Sequence, residues 1–353
     1  VTQRNVEFIN DLKDYDISAY TAITERYIDY ASHNKAVLAV YQIGSTNNPG
    51  ISDIDLVVVV ENVFDPESLD SLKISRFENS EPARDLFIHD IYLYDRESFK
   101  TFRYTVHAQD LHLLWGTPLE VEDIHEEDME ALSLQNIFDF ISSRLIQFYQ
   151  FLSGGKLSLR GTIVRVSSIK HSYDLLKRVG IVDHEMEAFI RAIYEMRENA
   201  YTIHSQELLS IFLDSFKQFS RLVWLAGTCF REHFLPCYET VGLGNSMKLN
   251  PHFLMRFVGK ITELNPPTRT DPTILYPDVV YYHYRAIAQW ENAISLWARN
   301  ILSGNRDEYY DLDVLYVQTL KKRIEAMALH YEFLSANRIT YAMRGYPGFA
   351  VDT

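Results

Sequence analysis

Four consecutive valines, Val57 to Val60, follow Asp53-Ile-Asp-Leu56, and a run of that kind has few ways to fold. Valine is stiff at χ1 and favours extended backbone, and an apolar run without polar alternation reads as a strand buried on both faces. A strand is therefore expected over Ile54–Val60, with Ala36–Ile43 as its sheet neighbour. Before them, Ile17, Tyr20, Ile23, Tyr27, Ile28 and Ala31 recur at helical spacing, with Ser18 as a possible cap. The two strands are joined by Gly44-Ser-Thr-Asn-Asn-Pro-Gly-Ile-Ser52, a turn built of small residues.

Asp53 and Asp55 stand two apart, and residues so spaced on a strand share a face at about 7 Å. Two carboxylates beside a turn rich in backbone N–H groups suit a divalent cation bridging to phosphate oxygens. Gly44 and Ser45 end the first strand where a bulky side chain would block a phosphate. A further strand is expected over Leu86–Tyr94, with Ile88, Asp90, Tyr92 and Tyr94 on one face and Phe87, His89, Ile91 and Leu93 on the other. Asp90 is the anomaly there, since a carboxylate among apolar neighbours is costly unless paired or bound to a cation. On the same alternation His89 faces away from Asp90 and reads as an ordinary hydrogen-bonded histidine. A short helix near Glu97–Val106 and a strand at Leu111–Trp115 complete an α/β unit.

The chain has 353 residues, enough for two domains. Its 34 Lys and Arg stand against 48 Asp and Glu, a formal charge of −14, which argues against a long nucleic-acid partner. The charge suits a small, neutral or cationic acceptor better. Cys229 and Cys237 match neither a zinc nor a redox spacing and read as reduced structural cysteines. The polar start, Val-Thr-Gln-Arg-Asn, and the lack of an apolar run of about 18 residues make no membrane span and a cytoplasmic location the expectation.

The run Glu120–Glu130 carries seven acids without a Lys or Arg and reads as a solvated linker or the acidic start of a helix. The domain boundary is placed there: residues 1–125, then 126–353. Beyond it, Leu132–Leu152, Leu157–Val179, Glu185–Asn199, Ser205–Phe234, Phe253–Leu264, Val279–Leu302 and Tyr309–Ser335 show helical periodicity. The fold class expected is α+β, a mixed-sheet α/β domain followed by an all-α helical bundle.

Gly44-Ser45 followed by Ser52-Asp53-Ile-Asp55, with a later Asp90, resembles the DNA polymerase beta superfamily of nucleotidyltransferases over roughly residues 17 to 119. The resemblance implies that Gly44, Ser45 and Ser52 hold the phosphates of a nucleoside triphosphate, with ATP the expected one. Asp53 and Asp55 would ligate two magnesium ions, and Asp90 would complete the site. Many members carry an arginine in the turn, whereas this chain reads Thr46-Asn-Asn-Pro-Gly50. The missing cation is then sought on the helical domain, where Lys170, Arg165, Lys177 and Arg178 are candidates, with the domain cleft as the expected active site. Arg165, His171 and Tyr173 also resemble the Arg-x(4–6)-His-x-Tyr pattern of HEPN domains.

The function expected is transfer of a nucleoside monophosphate, AMP first among them, to a hydroxyl of a small-molecule acceptor, the layout shared by antibiotic-modifying adenylyltransferases. The alternatives are a protein acceptor, as in antitoxins that adenylylate a partner toxin, and a non-catalytic nucleotide-binding module. The presence of all three carboxylates speaks against the last.

Overall fold

The computed structural model describes residues 7–62, 64–105, 110–235, 246–250, 253–259, 273–290 and 312–338. Residues 12–124 form one compact unit together with the C-terminal helix from Glu325, while the N-terminal residues up to Asp11 and His125–Ile324 form another. The division falls close to the acidic run, but two segments lie across it from where the sequence put them: the first strand belongs to the helical unit, and the end of the last helix to the other.

In chain order, β1 (Glu7–Ile9) belongs to the helical unit and α1 (Ile17–Ser32) opens the other. Asp16, and not Ser18, caps α1, its Oδ1 accepting from the Ala19 amide at 3.0 Å and the Ser18 hydroxyl at 2.6 Å. Then come β2 (Val37–Ile43), β3 (Asp55–Val60), the short helices α2 (Pro66–Asp70), α3 (Ile74–Phe77) and α4 (Glu81–Leu86), β4 (Tyr92–Asp95), α5 (Arg96–Lys100), α6 (Phe102–Thr105) and β5 (His112–Gly116). The sheet runs β4-β3-β2-β5. It is mixed: β2 pairs antiparallel with β3 and β5, and β3 pairs parallel with β4.

The valine run occupies an inner strand. Leu56, Val58 and Val60 pack with Tyr20, Ile23 and Tyr27 of α1, while Val57 and Val59 pack with Tyr92, Tyr94, Phe99 and Phe102 on the opposite face. With each buried valine worth about 1.5–3 kcal/mol of transfer free energy, any register shift of β3 is heavily penalised, and the aspartates at its start are fixed in place.

The strand expected over Leu86–Tyr94 is shorter. Ser80 caps α4 through the Ala83 amide at 3.3 Å, Pro82 sits in its first turn, and the helix runs to Leu86. Residues 87–91 form a bend, so the alternation that set His89 opposite Asp90 does not apply.

The last helix, α13 (Val314–Ala336), returns Phe333 and Leu334 to the core formed by β3 and α1. The His330 ring stacks on Tyr94, centroids 3.8 Å apart, and its Nε2–H donates to the Leu93 carbonyl at 2.7 Å. Burial pushes the His330 imidazole down to about 4, although the bond to Leu93 raises it. The unfolded chain takes up this proton near pH 6.5 and the folded one only near pH 4, so the neutral ring's contribution is complete above about pH 6.5 and is lost as the pH falls towards 4. About 3 kcal/mol is at stake over that window. Urea unfolding at pH 7 and pH 4.5 is expected to show a loss of stability in the wild type that exceeds that in His330→Phe by most of this amount.

The helical unit contains α7 (Glu126–Gly154), β6 (Lys156–Ser158), α8 (Leu159–Ser167), α9 (Ile169–Arg178), α10 (His184–Glu198), α11 (Ser205–Phe234), β7 (Ser246–Asn250), β8 (Phe253–Val258), β9 (Thr273–Pro277), α12 (Val279–Ile287) and the start of α13 (Val314–Ala336). Gly155, at φ +74, closes α7 in the left-handed conformation. The single helix expected from Leu157 breaks at Ser168, whose hydroxyl donates back to the Arg165 carbonyl at 2.6 Å.

This unit is not all-α. β1 pairs parallel with β6, and β7-β8-β9 form a small sheet. Phe253-Leu-Met-Arg-Phe-Val, expected as a helix, is a strand, because so short an apolar run fits either period and its aromatic and β-branched ends favour the pleat. Residues 260–264 and 291–311, over which the sequence continues three helices, and Cys237 lie outside the described residues.

A buried ionic group sits inside the unit. The Asp139 carboxylate on α7 accepts from the Arg323 guanidinium of α13 and, at 3.1 Å, from His283 Nε2 of α12, while Tyr316 hydroxyl lies 2.8 Å from His283 Nδ1. Burial alone would push Asp139 up, but Arg323 and His283 hold it below the usual carboxylate range.

Candidate functional site

The turn between β2 and β3 is tied down from beneath. The buried Tyr20 hydroxyl accepts from the Gly50 amide at 3.0 Å and donates to the Ser52 carbonyl at 2.8 Å. The Asn48 carbonyl accepts from the Ile51 and Ser52 amides at 3.1 and 2.8 Å. Ser52 is buried and its hydroxyl accepts from the Asn48 amide at 3.4 Å, which places it inside the turn. Gly44 and Ser45, in contrast, are exposed.

The β2–β3 register sets Ile43 opposite Asp55, which brings the next residue, Gly44, against the Asp55 carboxylate. Gly44 has φ +72, and a Cβ built there would stand 3.6 Å from Asp55 Oδ2. The space would admit a methyl, but the backbone conformation would not. Gly44→Ala is expected to cost about 1–2 kcal/mol in chemical denaturation and to weaken binding of a nucleoside triphosphate, both measured on the same preparation.

Asp53 and Asp55 converge on His89. Its Nε2 lies 2.6 Å from Asp55 Oδ1 and 3.9 Å from Asp53 Oδ2, with the Tyr92 hydroxyl at 2.9 Å. The other ring nitrogen, Nδ1, lies 2.6 Å from the Asp90 carbonyl oxygen. That oxygen can only accept, so Nδ1 carries a hydrogen and Nε2 is directed at the carboxylates. A backbone carbonyl on one nitrogen and an acidic pair before the other is the support a metal-ligating histidine usually has. Among the described residues, Asp53, Asp55 and His89 form one of two groups whose ligand atoms lie within 4.8 Å of one another.

Asp90 is not in that group. Its Oδ1 accepts from the Ile74 amide at the start of α3, at 2.9 Å, and from the Ile91 amide at 3.0 Å. Burial pushes the Asp90 carboxyl up, against those two hydrogen bonds and the nearby Lys73 ammonium. The bend at 87–91 thus exchanges the expected roles: Asp90 anchors α3 and offers its backbone carbonyl to His89, and His89 takes the place of the third carboxylate. Tyr92 and Tyr20 are further participants that sequence reasoning passed over. The signal for His89 was present in Ser80 and Pro82, which start a helix too close to Leu86 for a strand to begin there.

Lys170 lies on α9 in the helical unit, its ammonium 5.9 Å from the Tyr194 ring centroid. Burial, with Arg197 nearby, pushes it down from the usual lysine range. Arg165 turns back on the Gly161 carbonyl at 3.0 Å and over Phe151, and the Tyr173 hydroxyl is engaged by the Asp183 backbone at 2.9 and 3.1 Å. Arg165 and Tyr173 therefore sit on successive helices with separate structural partners. Lys177 pairs with Asp174 at 2.7 Å.

Comparison with family models, with curated proteins and with solved structures returned no match for this chain. Among the described residues no helix is long and apolar enough to cross a membrane.

The donor set of Asp53, Asp55 and His89 fits a single divalent cation. Two carboxylates suit Mg2+, and the imidazole nitrogen moves the preference towards Mn2+.

Proposed function

We propose that residues 12–124 are a divalent-cation-dependent nucleotidyltransferase domain, which transfers NMP from an NTP, ATP first among them, to a hydroxyl of a small acceptor and releases pyrophosphate. The observation that carries this reading is the β2–β3 register. It opens the exposed Gly44-Ser45 turn beside the Asp53–Asp55 pair, with no side chain between phosphate-binding backbone and carboxylates. Asp53, Asp55 and His89 would hold a divalent cation, which would supply neutralisation of phosphate charge.

The rest falls to the chain itself. Gly44 would let the backbone approach a phosphate closely, and the Ser45 hydroxyl, which accepts from the Asn47 amide at 3.2 Å, would donate its own hydrogen to it. The Tyr20 hydroxyl keeps the turn in one conformation, so little order has to be gained on binding. The acceptor oxygen forms its bond to the α-phosphorus as the bond from that phosphorus to the pyrophosphate oxygen breaks, and the hydroxyl proton is lost to solvent. The protein's part is positioning and screening of charge. The chain's net charge of −14 favours a neutral or cationic acceptor over a polynucleotide.

The test offers each of the four NTPs, with Mg2+ or Mn2+, to the full chain together with aminoglycosides, sugars and cell lysate. Transfer of α-phosphate label to a small hydroxyl compound supports the proposal. Label on a lysate protein keeps the chemistry and changes the acceptor. Absence of transfer from any NTP with either cation rejects the proposal.

A further inference from the structure

The second convergent group lies in the helical unit and is independent of the nucleotide site. Cys229 and His233 are four residues apart on α11 and so share a helix face. Glu130, in the second turn of α7, meets them: Cys229 Sγ is 3.5 Å from Glu130 Oε1 and 3.7 Å from His233 Nδ1, and His233 Nδ1 is hydrogen-bonded to that same Oε1. Phe230, next to Cys229, packs edge-on against Phe138 of α7 with centroids 5.7 Å apart, which fixes the two helices at this level. Cys229 is buried, while His233 and Glu130 are half-exposed.

Two chemistries use a thiol, an imidazole and a carboxylate. A nucleophilic triad is a relay, with the thiol on one ring nitrogen and the carboxylate on the other. Here both the sulfur and the carboxylate oxygen face Nδ1, so the three atoms surround a point and do not form a chain. Donors of a tetrahedral zinc ion, with Zn–S of about 2.3 Å and Zn–N or Zn–O of about 2.0–2.2 Å, stand about 3.5 Å apart. The two sulfur distances already match. The Nδ1–Oε1 pair must open by about 1 Å, which two half-exposed side chains can accommodate.

We infer that Glu130, Cys229 and His233 form a site for a borderline-soft divalent cation of the zinc class, with a fourth position left for water. Sulfur among the donors selects such a cation over Mg2+ or Ca2+. Binding releases the thiol proton to solvent and moves the imidazole proton from Nδ1, where the Glu130 carboxylate holds it, to Nε2 by exchange with solvent; thiolate and carboxylate together then balance the cation's charge. The acidic run that looked like a solvated linker thereby supplies a ligand.

The experiment titrates metal-free full-length protein with Co2+ and follows thiolate-to-cobalt charge-transfer absorption, which only a cysteine ligand produces. The expected result is a band saturating at one equivalent in the wild type, bleached by Zn2+. It is retained in Cys237→Ser and in the double variant Asp53→Asn/Asp55→Asn, and lost in Cys229→Ser. Glu130→Gln keeps the side chain's size and should weaken Co2+ binding at least about tenfold. No band in the wild type, a band that survives Cys229→Ser, one lost in Cys237→Ser or in the double Asp variant, or undiminished affinity in Glu130→Gln overturns the assignment.

Discussion

On the proposed function, Asp53→Asn and Asp55→Asn are each expected to lower nucleotidyl transfer by roughly 10²–10³-fold or more, the scale on which single groups that stabilise transition-state charge act. Both substitutions preserve shape and remove one negative charge from a pair that shares His89 at 3.9 and 2.6 Å. Asp55 is the first residue of β3 and Asp53 precedes the strand, both outside the valine core that holds it. Asparagine still offers an oxygen towards His89, so stability to urea should fall by no more than about 1 kcal/mol, the scale of a single hydrogen bond, or rise as repulsion between the carboxylates is relieved. Steady-state transfer and denaturation measured in parallel separate the two effects. A variant that keeps a tenth of the wild-type rate contradicts the role given to its carboxylate.

The largest loss of stability is expected from Arg323→Leu. Arg323 and Asp139 are each almost wholly buried, and with Arg323 gone the Asp139 carboxylate would be left, among the described residues, with His283. Breaking a buried pair from one side costs about 3–5 kcal/mol, because a charge then remains without its partner. Replacing both members, Arg323→Leu with Asp139→Leu, should recover most of the loss, since the desolvation cost disappears with the charges. Asp139 is held below its ordinary value in the folded protein. The stability it contributes is thus complete above the unfolded carboxylate range and is lost as the pH falls through and below it. Urea midpoints of the single and double variants at neutral pH decide the matter, and equal losses in both would mean that packing, and not the ion pair, is at work.

The sheet's core was legible in the sequence because composition alone constrains it. Val57–Val60 can be buried on both faces only in an inner strand, and the Gly44-Ser45 turn and aspartate pair follow from adjacency along the chain. Ser205–Phe234 was readable to the residue, its long apolar stripe bounded by clear breaks. The place of His89 beside the aspartates was not readable, because strand alternation was extended across residues 87–91, where Ser80 and Pro82 start a helix that displaces the strand to Tyr92. The expected start at Leu86 and the actual start at Tyr92 differ enough to exchange His89 and Asp90. The β7-β8-β9 sheet escaped notice for another reason: Phe253–Val258 is too short for helix and strand periods to differ, and only its pairing with Thr273–Pro277 decides. The return of Phe333 and Leu334 to the α/β core is a long-range contact, with no local signal in a helix whose apolar residues look alike along its length.

Paired reactions with ATP labelled at the α- or the γ-phosphate show whether the Asp53–Asp55–His89 group acts at the α-phosphorus of a nucleoside triphosphate. If it does, α-label moves to the acceptor while γ-label leaves as pyrophosphate, and both events disappear together in Asp55→Asn. Transfer of γ-label to the acceptor, or α-label transfer that persists in Asp55→Asn, would contradict it.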